Sequence, residues 1–222
     1  MPMLVETKDC TALTDAELEE LADLGVEPHG FDIGFLSKER EEWVLVTTVR
    51  EGAKLRGYSF CTLERIGGTP ALLVGVASVD RTARAEAALK AMMADQFRRA
   101  LLAFPDEDVL LGTRLVCADG FRAFSGLTDV VPMAGKRPTG EERAWARRLA
   151  KRFGAESRLD DRSFVVKGDS AASGGLDFFY PKVKIPEGAE TLFEGFDLTR
   201  GDRLVAFGWA MAEDLAAGRA VR

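Results

Sequence analysis

Residues 71–104 read ALLVGVASVDRTARAEAALKAMMADQFRRALLAF, and their pattern changes period in the middle. Ala71 to Val79 is almost continuously apolar, as a strand buried on both faces would be. From Ala85 onward, Leu89, Met92, Met93, Phe97, Ala100, Leu101 and Phe104 recur at helical spacing, which predicts a long amphipathic helix. The strand and helix are joined by SVDRTAR, which sets Arg81 and Arg84 where the first helical amides lack partners. A helix N-terminus attracts anions, and guanidinium groups beside it add charge-assisted donors. The same arginines would equally suit a solvated surface.

Upstream, EEWVLVTTVR (41–50) and LRGYSFCTLERI (55–66) have the β-branched and aromatic content of strands. EGAKLRG and GGT are turns, so three strands form an antiparallel meander whose last member feeds the helix. Before them, TDAELEELADL (14–24) reads as a helix. Thr14 and Glu17 make a capping box, Leu13 staples onto Leu18, and Gly25 stops it. VEPHGFDIGFL follows as a connector. After the long helix come a strand near 108–116, a short helix in CADGFRAFSGL and a strand in TDVVPM.

The composition shifts at KRPTGEE, which divides the chain into a core of residues 1–132 and a C-terminal extension, 133–222, packed on it. Thr139 and Glu142 form a second capping box for a helix that ends at Gly154, with Trp145, Leu149 and Phe153 on its buried side. Arg162–Lys167 is a short strand, GDSAASGGLD a polar flexible loop, and DFFYPKVKIPEGAETLFEGF a set of extended segments. Thr199–Ala217 reads as helical, with Val205, Trp209, Ala212 and Ala216 on one side.

Of the 222 residues, 46% are hydrophobic and 30% charged, a globular balance. The net charge of -6 argues against nucleic acid as a partner, which would call for a positive field. The beginning of the chain has no signal-peptide pattern, and no apolar run reaches membrane-spanning length, so no membrane partner is expected. Cys10, Cys61 and Cys117 are too dispersed to hold a metal, and Cys61 and Cys117 lie in apolar segments as buried thiols; a reducing cytoplasm is expected. The single histidine, His29, would have to serve any Ser-His-Asp triad, and its EPHG setting reads as a surface turn.

The order helix, three strands, helix, strand, short helix, strand, taken with VGVASVDRTARAEAALKAMM, resembles the GNAT superfamily of N-acetyltransferases. The resemblance implies an α+β fold with a mixed, mainly antiparallel central sheet flanked by helices. In that family the last meander strand splays from its neighbour and leads into a pyrophosphate-binding turn of pattern [QR]-x-x-G-x-[GA]. Arg81 matches its first position, Arg84 stands in place of the glycine, and Glu86 occupies the last small position. The resemblance implies acetyl-CoA or another acyl-CoA as cofactor, with Val79, Arg81 and Arg84 around the pyrophosphate. It implies transfer of the acyl group to a small amine and, by analogy, a homodimer. The family's proton-donating tyrosine has no match, because the short helix carries Phe121 and Phe124. Ser125 is the nearest hydrogen-bonding group there, or simply a polar helix end. Glu64 and Asp80 are the candidate bases; Glu64 also reads as an exposed turn-side carboxylate and Asp80 as a helix cap. Two readings compete with the acyltransferase: a GNAT-fold binding module without catalysis, and an interaction protein that docks through LDFFY (176–180).

Overall fold

The computed structural model describes residues 2–24, 30–169 and 173–221. His29 and Gly25 lie outside the described residues. The chain builds β1 (Met3–Asp9), α1 (Asp15–Asp23), α2 (Ile33–Glu42), β2 (Leu45–Glu51), β3 (Lys54–Ile66), β4 (Thr69–Val79), α3 (Ala85–Ala103), β5 (Val109–Leu115) and β6 (Thr128–Val131). It continues with α4 (Gly140–Arg152), β7 (Leu159–Asp160), β8 (Val165–Val166), β9 (Gly175–Asp177), β10 (Arg203–Ala210) and α5 (Ala212–Ala216). One ten-stranded sheet runs β1-β2-β3-β4-β9-β5-β10-β8-β7, with β6 also paired to β10. The pairings among β4, β5 and β9 are parallel and all others antiparallel. This is the mixed, mainly antiparallel α+β architecture that the GNAT resemblance implies, and the meander, the long helix and the strand after it follow in the expected order.

Both capping boxes form, Thr14 with Glu17 and Thr139 with Glu142. α3 packs across the β1–β4 half of the sheet, where the Met92 side chain fits against Gly57. Trp43 and α4 cover the other face, with Leu149 against Gly112 and the Trp43 ring against Gly75. A Cβ on Gly75 would lie 1.9 Å from the indole, so the strand must be bare there.

Four readings of the sequence are corrected, the last of them in part. The first seven-residue strand, β1, was absent from the expected order; it is an edge strand whose half-exposed MLVETKD gives only a weak alternation. α2 replaces the expected connector, with Asp32 as its cap accepting from the Phe35 amide at 2.8 Å. The expected helix over Thr199–Ala217 is instead β10 followed by the short α5. β10 is paired on both sides and buried on both faces, so LVAFGWA is continuously apolar, a pattern whose period cannot tell strand from helix. The loop expected over GDSAASGGLD is corrected in part: residues 175–177 are β9, while 170–172 lie outside the described residues. No helix among the described residues is long and apolar enough to cross a membrane.

Candidate functional site

The site is built by a bulge in β4. Phe60 pairs with Val76 and Cys61 with Val74, so Gly75 is an extra residue on the β4 side. A bulge bends its strand away from the partner. The direct β4–β5 pairing accordingly ends at Val74–Thr113, just before the bulge. Beyond it the two strands separate, as the GNAT resemblance implies.

The gap is filled by the chain itself. β9 lies alongside β4 with Val76, Ala77 and Ser78 opposite Gly175, Leu176 and Asp177. On its other edge the Val116 amide donates to the Leu176 carbonyl at 3.2 Å, Cys117 Sγ to the Phe178 carbonyl at 3.0 Å, and the Tyr180 amide to Asp119 Oδ2 at 2.8 Å. Leu176 and Phe178 are buried, so most of the LDFFY segment is core rather than a docking surface; only Phe179 is substantially exposed. Glycines permit the insertion. A Cβ on Gly174 would come within 2.5 Å of Arg114 and 2.9 Å of the Gly75 carbonyl, and Gly175 sits at φ +146°.

Two buried arginines flank the start of β9. Arg203 donates Nε to the Gly174 carbonyl, Nη2 to that of Ser173 and Nη1 to that of Asp202. Arg114 donates Nη2 to the Gly75 carbonyl at 3.2 Å, and its guanidinium lies 4.8 Å over the Phe153 ring. Burial pulls both below the ordinary arginine pKa, Arg114 to about 10. Asp177 is buried too, and desolvation raises its pKa while Arg81 and Arg203 pull it down. Tyr58, opposite Ser78, is fully buried, and its hydroxyl has no hydrogen-bond partner among the described residues. These groups were missed from sequence, although Arg114 in LLGTRLV and Arg203 in GDRLVAF each stand inside an apolar strand, which is a readable signal of a buried charge.

The expected residues are spread over the fold. Val79 ends β4 opposite Gly57, and Arg81 and Arg84 form the turn into α3. Arg84 Nε lies 3.1 Å from Glu51 Oε1; Arg81 Nη2 lies 3.8 Å from Asp177 Oδ1, with its guanidinium 5.6 Å over the Phe179 ring. Asp80 holds Arg56 at 2.7 Å and accepts from the Thr82 hydroxyl. The amide of Arg84 is capped by Thr82, so Asp80 braces the turn rather than capping the helix. Glu64 sits opposite Ala71 near the far end of β4, paired with Arg152 at 2.8 Å. At ~3.3 Å per residue it is roughly 30 Å from Asp80, so the two are not brought together. Ser125 closes the 3-10 turn of residues 118–124, its amide donating to the Arg122 carbonyl.

An acyl-CoA with its pyrophosphate on the 81–86 turn would meet β9, which lies in the gap between β4 and β5 and is hydrogen-bonded on both edges. Glu86 also places a carboxylate in the first turn of α3, where it pairs with Arg122 at 2.7 Å.

A separate opening lies on the α2 and α4 face of the gap. This cavity, about 440 Å³, is bounded by Arg114, Trp43, Glu39, Phe153 and Gly174 among others. Trp43 Nε1 donates to Glu39 Oε2 at 2.7 Å, and burial raises the Glu39 pKa. All three cysteine thiols are free, and burial raises Cys10 and Cys61 to about 12 and Cys117 to about 11, so none is poised as a nucleophile. Among the described residues no cluster suits a metal ion.

No family model matches the chain, and no curated protein matches it. Among solved structures, the NatC complex bound to Gag peptide and CoA is 16% identical with a TM-score of 0.42, over 62% of this chain and 88% of that one. The ribosomal-protein-S18-alanine N-acetyltransferase of Escherichia coli is 11% identical, TM-score 0.38, over 62% and 86%. A mutant of the Thermus thermophilus protein TTHA1254 is 15% identical, TM-score 0.34, over 48% and 74%. All three are distant likenesses.

Proposed function

We propose that this chain is a small-molecule-binding module on a GNAT-like fold, with the cofactor gap given over to its own β9. The observation that carries this reading is the pairing of β9 with both β4 and β5. One further feature supports it: the arginines of the turn face carboxylates, Arg81 toward Asp177 and Arg84 toward Glu51. The reading takes neither nucleic acid nor membrane as partner, in keeping with the net charge of -6, and places the protein in the cytoplasm.

Calorimetric titration with acetyl-CoA and CoA tests it. No binding is expected up to about 1 mM ligand, a free energy of roughly -4 kcal/mol. Micromolar binding would overturn the module. A second reading, transfer of an acyl group from acyl-CoA to a small amine, is favoured by Arg81 at the first position of the turn and requires β9 to leave the gap. Micromolar binding lost in the Arg81→Ala/Arg84→Ala variant is the result that would establish it.

A further inference from the structure

The two buried arginines beside β9 differ in one respect. The fork of Arg203 is filled by three main-chain carbonyls. Among the described residues Arg114 makes one hydrogen bond, to Gly75, its Nε has no partner, and no carboxylate lies within ion-pair distance; Glu39, on the cavity wall, offsets its charge only from further away. Arg114 is only 8% exposed. A buried cation with no anion in contact is costly, and such groups are retained where something neutralises them.

Arg114 lines the 440 Å³ cavity, a volume within the range of small-ligand sites. The other charges around that cavity cancel in pairs: Arg152 with Glu42 at 2.9 Å, and Arg158 with Asp169 at 2.9 Å. What remains is Arg114, the exposed Lys151 and Glu39. Glu39 already spends Oε2 on Trp43 and is the one acid opposing an anion. The walls are aromatic, from Phe35, Trp43 and Phe153. A planar, weakly hydrated carboxylate matches a guanidinium fork between aromatic rings better than a tetrahedral phosphate, whose second charge would also meet Glu39.

We infer that this cavity binds a small organic dicarboxylate, one carboxylate on Arg114 and the other on Lys151 at the rim. The inference deepens the binding-module reading and rests on it in treating the protein as a binder. The two fail separately, because CoA titration probes the turn and the gap, whereas the experiment below probes the opposite opening.

The test is calorimetry and thermal shift at pH 7 with succinate, acetate and inorganic phosphate as probes. Succinate is expected to bind saturably and raise Tm. Arg114→Met should fold, since it removes an unpaired buried charge, and should lose at least ~10-fold in succinate affinity, the scale of one charge-assisted hydrogen bond. Lys151→Ala, an exposed change that spares the core, should weaken succinate several-fold and leave acetate unchanged. Should Arg114→Met not fold, Lys151→Ala decides. No response of the native protein to succinate at about 10 mM, or undiminished affinity in Arg114→Met, overturns the site. Phosphate binding as tightly as succinate overturns the carboxylate class, and an unaltered Lys151→Ala overturns the second anchor.

Discussion

Asp177 is held in a conflict that its neighbours only partly relieve. Its carboxylate is desolvated on β9 opposite Ser78, and its nearest cation, Arg81, lies 3.8 Å away on the turn. Burial raises its pKa, so the folded chain binds this proton more tightly than the unfolded chain does. Between the ordinary aspartate value and the raised one, the native protein therefore gains stability as pH falls, and at neutral pH it bears the cost of the buried charge. Asp177→Asn is expected to be more stable than the native chain at pH 7, on the order of 1 kcal/mol, with the advantage shrinking on acidification. Urea denaturation of both proteins across pH 4–7.5 checks this; a variant less stable at pH 7 would show that the contact with Arg81 outweighs the desolvation. At this scale the sequence was partly legible. Arg81, Arg84 and Asp80 are on the turn where SVDRTAR put them, but their partners Asp177, Glu51 and Arg56 come from elsewhere in the chain, and Glu64 is held by Arg152 near the other end of β4.

Local rules specify most elements. The capping boxes at Thr14 and Thr139, the meander and α3 follow from hydrogen-bonding residues and apolar period alone, because each is stabilised within its own stretch. β9 is different. Three residues of a polar, glycine-rich segment become a strand only because the bulge at Gly75 opens a gap with unpaired edges on both sides. If β9 is an integral strand, the amides bonded across it should exchange with solvent as slowly as those of the central meander. Hydrogen-exchange mass spectrometry reads this from peptides covering 113–118 and 173–180. Rapid exchange there, beside a protected β3–β4 pair, would identify a strand that leaves the gap readily and would return weight to the acyl-transfer reading.

On the scale of the whole molecule, the segment after residue 132 is structural to what precedes it. Four of the ten strands, β7 to β10, come from it, and β10 covers the outer edge of β5 along seven paired positions. Leu204, Val205 and Phe207 are buried there, each worth ~1.5–3 kcal/mol, which together rivals the ~5–15 kcal/mol stability of a typical domain. A fragment ending at residue 132 is therefore expected not to fold; a cooperative thermal transition in that fragment would contradict this. The sequence by itself determined the α+β class, the meander feeding a long helix, the capped helices and the net negative charge, since these depend on composition and on period within short windows. Only the tertiary structure decided that LVAFGWA is a central strand, that Arg114 and Arg203 are buried against the start of β9, and that β9 occupies the gap. The physical reason is that pairing between strands far apart in the chain, and the burial of a charge against a distant main chain, leave no periodic mark in either partner.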